Sequence, residues 1–395
     1  MPLSASIPDR RYDLDWIRVG AFFLLILYHV GMFYVPWDWH VKSPHPVEEL
    51  ELAMFLTNPW RLSLLFAVSG FASAALLERS SGIGAFLRSR MARLGIPLLA
   101  GILIFVTPQP WVELVTQHGY THGFGYFMLH DYYRPQQIDG VFVPTYMHLW
   151  FVVYLLVYTL IWGALLTLPP RWLTGARKTA ETVLSGPALL PFGIAGFFCI
   201  HNFVSPGWED THLLVNDWSA HLDYFGAFLF GVLLRRSHTV RANVARWWKV
   251  AAVLAVLGWV YLAWAELPLS GDVGASYILS LLYRVARSTE AWCAIVALVG
   301  LAETHWNRDS RWRPMLAEAV FPFYIIHQTV IVVVGYWLLM TPTTAYERFL
   351  ILVAATVAGN WAFYLIGRRI ELLRPLIGLK RRPAAKAVSG AAILV

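Results

Sequence analysis

Charge is what this chain lacks. Asp, Glu, Lys and Arg make up 14% of its 395 residues, whereas an ordinary soluble domain carries about 25%. So few charges cannot cover a water-facing surface, which sets aside a soluble globular protein. Cysteine is scarce as well. Cys199 and Cys293 are the two present, and both fall in apolar segments, where buried thiols are expected. That excludes a disulfide framework and a thiolate metal site. No long polar stretch parts the apolar runs, so one helical bundle is expected rather than two soluble domains. No internal repeat is visible, and with it goes the usual mark of a transporter built from inverted halves. There is no G-x-S-x-G elbow, which argues against a hydrolase triad.

What is present is hydrophobic. Such residues make up 58% of the chain, and the mean hydropathy is +0.54. Apolar runs long enough to cross a bilayer recur at about 16–35, 56–77, 94–112, 147–168, 187–204, 219–234, 250–267, 276–301, 318–340 and 347–367. The expected fold class is all-α, a polytopic membrane bundle of about ten helices over residues 1–375. The first run is too long for a signal-peptide core and reads as a retained span. The formal charge of +7 does not point to nucleic acid, because the basic residues sit in short segments between runs. Arg10, Arg11, Arg79, Arg88, Arg90, Arg93, Arg171, Arg177, Lys178, Arg235, Arg236, Arg241, Arg246, Lys249, Arg308, Arg311 and Arg313 fall on one side, with the basic residues from Arg368 to Lys386. Lys42, Arg134 and Arg348 fall on the other. By the positive-inside rule both termini are expected in the cytoplasm. Residues 376–395 read as a basic, disordered cytoplasmic tail.

Ionisable residues inside the runs are the candidates for chemistry, since such groups are costly in lipid and usually face a cavity or a partner. Arg18 and His29 lie eleven positions apart, on one helix face and about 16 Å apart along the axis. Asp15 is one turn from Arg18 and can pair with it. Snorkelling explains Arg18 on position alone; His29, past the middle of the bilayer, is harder to explain that way. Arg88, Arg90 and Arg93 precede the third run, and the Arg90/Arg93 spacing suits a phosphate clamp. Positive-inside anchoring is the plain alternative. Phe66 to Phe71 contains Ser69 and Gly70: the glycine permits close helix approach, and the serine is either a nucleophile or a helix-bonding group. His148-Leu149-Trp150-Phe151 opens the fourth run, and Tyr324 and His327 share the ninth. Arg284, Arg287 and Glu290 share the eighth, with Arg287 and Glu290 spaced for an ion pair. His118 and His122 have helical metal-ligand spacing without a third ligand, so no metal is expected. The tyrosines of the 107–147 loop suit interfacial anchoring better than sugar stacking.

Together these pieces resemble the acyltransferase 3 family of polytopic O-acyltransferases. The matching elements are Arg18-x10-His29, the Ser-Gly-Phe of 69–71, Arg90-x-x-Arg93, His148-Leu-Trp-Phe and Tyr324-x-x-His327. Leu14-Asp15-x-x-Arg18, Trp39-His40-Val41-x-Ser43 and Arg90-x-x-Arg93-x-Gly95-Ile96-Pro97 resemble a glucan-modifying branch within it. The resemblance covers about residues 10–375. It implies transfer of an acyl group, succinyl favoured over acetyl, from cytoplasmic acyl-CoA to a hydroxyl of a periplasmic glucan. It places the chain in a bacterial inner membrane, among lipid, with acyl-CoA as co-substrate and no permanently bound cofactor. His29 and Arg18 would be catalytic, and Arg88, Arg90 and Arg93 would hold the donor. Asp15, Ser69, His148, Trp150, Arg284, Arg287, Tyr324 and His327 would line the site. A continuous passage from the arginines to His29 is expected. A glycan transporter or flippase without acyl transfer is the alternative.

Overall fold

The computed structural model describes residues 11–204, 211–266 and 276–382. Its principal helices are α1 (Tyr12–Met32), α2 (Arg61–Glu78), α3 (Ile83–Phe105), α4 (Pro108–Gln117), α5 (Met147–Leu165), α6 (Pro170–Leu184), α7 (Leu189–Val204), α8 (Trp218–Arg236), α9 (His238–Ala265), α10 (Tyr277–His305), α11 (Arg313–Leu338) and α12 (Ala345–Arg369). Lipid offers no hydrogen bonds to the backbone, so apolar runs of this length fold as helices that satisfy their own N–H and C=O groups. Seven of them are long and apolar enough to span, and nine spans result if each bent pair counts as one. The pairs are α3 with α4, bent by 41°, and α6 with α7, bent by 111°. The remaining expected run, 219–234, is the 19-residue helix α8. It is less apolar than the others because it carries His221 and Asp223. The architecture is a helical polytopic bundle.

α1 lies near the centre, packed against α2, α10 and α11. α9 and α10 run together as a long hairpin, and α11 packs on α12. The tightest seam joins α2 to α8. A Cβ on Gly70 would stand 1.9 Å from the Phe228 carbonyl oxygen, and one on Gly231 would stand 1.8 Å from that of Ala67. The glycine at 70 therefore brings two helices into backbone contact, as its sequence context suggested. Pro97 cannot donate back along α3, and the helix widens to a π turn over Met91–Gly95 just before it.

The long 107–147 connection is built rather than loose. It contains α4, helical turns at 124–132, and a hairpin of β1 (Gln136–Ile138) and β2 (Val141–Val143). On the neighbouring loop, Lys42 folds back onto the C-terminal end of α1 and donates to the carbonyls of Met32 (2.6 Å), Val35 and Trp37 (2.7 Å). Those carbonyls have no partner within the helix. Past α12 the chain turns back. Ile377 and Leu379 are buried, and the Arg382 backbone N–H reaches Glu371. The rest of the expected tail, with Lys386, lies outside the described residues, as does Arg10. Cys293 is buried, but Cys199 is exposed. α7 turns Gly193 and Phe197 inward against Trp292, which carries Cys199 off the packed face.

Gly70→Val should destabilise the bundle by about 3 kcal/mol or prevent folding, since a backbone carbonyl cannot swing aside as a side chain can. Gly84→Ala, where a Cβ meets nothing within 4 Å, should be near neutral. Thermal unfolding in detergent measures both.

Candidate active site

A cavity of about 770 Å³ opens among α1, α2, α4, α5, α8 and α10, at the end of the bundle that holds the C-terminal half of α1. His29 lines it, together with Tyr28, Asn58, Arg61, His148, Trp150, Arg287 and the His201–Asp223 pair. His40 and Glu113 join across its mouth at 2.5 Å. Trp150 stacks on His212 with ring centroids 4.2 Å apart.

Three imidazoles meet at its inner wall, and one carbonyl orders them. The Tyr324 carbonyl lies 2.7 Å from His327 Nδ1 and 3.0 Å from His148 Nε2. A carbonyl only accepts, so both of those nitrogens carry protons. His148 Nδ1 then accepts from the Gln109 amide at 3.3 Å. The same amide donates to Thr329 (2.7 Å), while Gln109 Oε1 accepts from Gln328 (3.1 Å) and Thr329 donates to the Phe105 carbonyl (2.8 Å). His327 Nε2 is left as an acceptor, and His29 Nδ1 lies 2.8 Å from it. His29 Nδ1 therefore holds the proton. Its Nε2 is left with a lone pair, on a ring that keeps partial exposure into the cavity. This is the arrangement a general base needs: a basic nitrogen free to meet substrate, with the other nitrogen oriented by a neighbour. The Tyr324 hydroxyl closes the network by donating to the His148 carbonyl at 2.5 Å.

The arginines gather at the opposite end. Arg18 donates to Asp15 (3.3 Å) and to the Ala317 carbonyl (3.1 Å). Asp15 also holds Arg313 at 2.6 Å, so it is shared between two guanidiniums. Arg93 lies close enough to interact electrostatically with both Arg18 and Arg90. Arg90 Nε and Nη2 and Arg18 Nε are buried with no acceptor. Each such donor costs about 1–3 kcal/mol unless a ligand or solvent meets it. An anion with several oxygens is the ligand such a cluster suits.

Comparison with known proteins bears on this pairing of a base with an anion cluster. The family described as an acyltransferase domain matches residues 11–365. The chain belongs to the acyltransferase 3 family. It is 30% identical over 151 residues to the glucans biosynthesis protein C of Shigella dysenteriae serotype 1 (strain Sd197), a match over 38% of this chain and 37% of that protein. The same protein of Escherichia coli O6:K15:H31 (strain 536 / UPEC) and of Escherichia coli O157:H7 (strain EC4115 / EHEC) matches to the same extent. The chain thus aligns with little more than a third of these relatives. No solved structure matches.

Within this acyltransferase domain the structure brings together His29, His148, Tyr324 and His327, with Trp150 and Arg287 on the same cavity. It does not bring the arginines to them. The cavity lining includes none of Arg18, Arg88, Arg90 and Arg93. Phe22, one turn beyond Arg18 and between it and His29 along α1, packs against Tyr324 (5.6 Å between centroids) and Phe151 (6.4 Å). Arg88 is exposed. Ser69 is off the cavity, on the glycine seam, where its carbonyl accepts from Ser73. Arg284 turns away to Asn202 at 2.7 Å. Arg287 donates to Asn58 at 3.2 Å, and neither oxygen of the buried Glu290 accepts a hydrogen bond. Among the described residues no group of three His, Cys, Asp or Glu side chains is arranged to hold a metal ion.

Sequence reasoning passed over Arg61, Asn58, Glu113 and the His201–Asp223 pair, and gave His40 no partner. Arg61 and Asp223 each sit inside an apolar run, the same signal that marked Arg18. His40 lies on the loop after α1 and Glu113 on α4, and nothing in their spacing announces the contact.

His212, in the loop before α8, makes the cavity mouth sensitive to acid. Burial beneath Trp150 holds its imidazole down at about 4, whereas an unfolded histidine titrates near 6.5. Between those values the unfolded chain binds a proton that the folded chain refuses. The contribution is whole above about pH 6.5 and is lost as pH falls toward 4. Unfolding temperature should drop across that window, and His212→Phe should flatten the drop.

Proposed function

We propose that the chain transfers an acyl group from cytoplasmic acyl-CoA to a hydroxyl of a periplasmic glucan, with succinyl the favoured group and acetyl the alternative. The observation that carries this reading is the His29 Nε2 lone pair, presented to a cavity by a proton pattern that Tyr324 and His327 dictate. Family membership supports acyl transfer in general. The printed name of the relatives supports a glucan as acceptor. The donor is inferred from the arginine cluster, whose buried, unmatched N–H groups suit the phosphates of CoA. The charge asymmetry of the loops supports the orientation, with the arginines in the cytoplasm and the cavity on the far side of a bacterial inner membrane.

In this scheme an acceptor hydroxyl donates to His29 Nε2. The imidazole takes that proton as the oxygen attacks the thioester carbonyl. The tetrahedral intermediate collapses with cleavage of the carbon–sulfur bond, and the imidazolium returns the proton to the leaving thiolate. An ester and free CoA thiol result. His327 acts as a positioning residue: its Nε2 accepts the His29 Nδ1–H throughout and stabilises the imidazolium while it exists. Arg18 helps gather the phosphates rather than touching the reacting atoms. The slender pantetheine arm must pass the Phe22 layer, so movement of that ring belongs to the proposed cycle.

The test is purified protein with labelled acyl-CoA and a glucan. His29→Ala should lower turnover by about 10²–10⁴-fold with donor affinity little changed, and His327→Ala should lower it less. Arg90→Ala and Arg93→Ala should instead weaken CoA binding, and added salt should weaken it in the parent. Translocation of glycan that persists in His29→Ala, with no ester formed by the parent, would favour the flippase and overturn the transferase.

A further inference from the structure

Arg61 opens α2 and lies inside the bundle, only 8% exposed. It donates to the Asn58 carbonyl at 3.3 Å, and its guanidinium lies 3.4 Å over the Tyr28 ring. Its Nε–H is buried and meets no acceptor. Arg287, from α10, reaches the same residue and donates to Asn58 Oδ1 at 3.2 Å. Asn58 in turn donates to the Tyr28 hydroxyl at 2.9 Å. All four residues line the cavity that contains His29. Two guanidiniums thus meet at one neutral residue, Arg61 at the Asn58 backbone carbonyl and Arg287 at its side-chain oxygen. Like charges in such a place repel strongly, and a carboxylate offers the bidentate acceptor that both can share.

We infer that Arg61 and Arg287, joined through Asn58, form a subsite that takes the terminal carboxylate of a short dicarboxylic acyl group and so set acyl specificity. The inference rests on the acyl-transfer reading above and adds to it the residues that would select the acyl chain. Chemistry identifies the ligand. Both arginines line the cavity that His29 lines, and the Tyr28 ring beneath Arg61 is 6.2 Å from the His29 ring, centroid to centroid. An acyl carbonyl brought to the base therefore has the guanidiniums within reach of a short chain, and a carboxylate at the end of that chain is the group that pairs with them. A plain acetyl group carries no such carboxylate. The phosphates of the donor have their own cluster at the other end of α1. Arg284, directed to Asn202, is left out of the subsite.

The experiment compares labelled succinyl-CoA and acetyl-CoA as donors to a glucan, using the full chain. The succinyl-to-acetyl ratio of kcat/KM should fall by about 30-fold or more in Arg61→Gln and in Arg287→Gln, and by less in Arg61→Lys, which keeps the charge. An unchanged ratio in both glutamine variants overturns the subsite. A second readout needs no turnover. Monomethyl succinate, with one carboxylate, should raise the unfolding temperature of the parent where dimethyl succinate does not, and Arg61→Gln should abolish the difference. Equal effects of the two esters overturn the subsite. Arg61-dependent stabilisation by a hexuronate oligosaccharide but not by monomethyl succinate assigns the anion to the acceptor and overturns the acyl assignment. Arg61-dependent binding of monomethyl succinate in a protein that transfers no acyl group would sink the transferase reading and leave the anion subsite standing.

Discussion

The Tyr324 carbonyl accepts from two imidazoles at once, and the protonation of the whole site follows from that. In a buried, low-dielectric setting an N–H without an acceptor is expensive, so the network has little freedom to adopt another pattern. His148 and His327 must each point a proton at the same oxygen. His327 must then accept from His29, and His29 must expose its other nitrogen. The same oxygen draws three helices together: α11 supplies it, α5 brings His148 and α1 brings His29. Packing and proton bookkeeping are one constraint here.

Charge is divided between the two ends of α1. One end holds Arg18 and Arg313 on Asp15 with Arg93 and Arg90 beyond; the other holds Arg61 and Arg287 on Asn58. Phe22, Phe151 and Tyr324 pack edge to face between them. The division keeps the two groups of cations apart along α1. It also gives Tyr324 two tasks, since its ring belongs to the aromatic layer and its carbonyl to the histidine network.

Much of this was legible in the sequence. Low charge and long apolar runs point to a helical bundle because lipid leaves the backbone no other way to satisfy itself. His29, His327 and Arg287 stood out because an ionisable group in an apolar run must face something polar. Gly70 stood out as a place for close approach. The same reasoning faltered where local pattern and tertiary demand diverge. Cys199 sits in an apolar run yet is exposed, because in a membrane protein the outer face of a helix is apolar too. Ser69 has the residue type of a nucleophile and the location of a packing seam. Arg284 and Arg287 are three apart on one helix and still serve different neighbours, Asn202 and Asn58.

The amino-acid sequence by itself determined the class of fold and the family, because these depend on composition, run length and short ordered motifs. Only the tertiary structure decided which nitrogen of His29 keeps its lone pair, that Arg61 and Arg287 meet at Asn58, and that Phe22, Phe151 and Tyr324 pack together. Each of those depends on contacts between residues far apart in the chain: His29 with His327, Arg287 with Asn58, Phe22 with Phe151 and Tyr324. Hydrogen-bond direction and side-chain packing act over a few ångströms, and no spacing along one helix encodes which distant partner will arrive within that range.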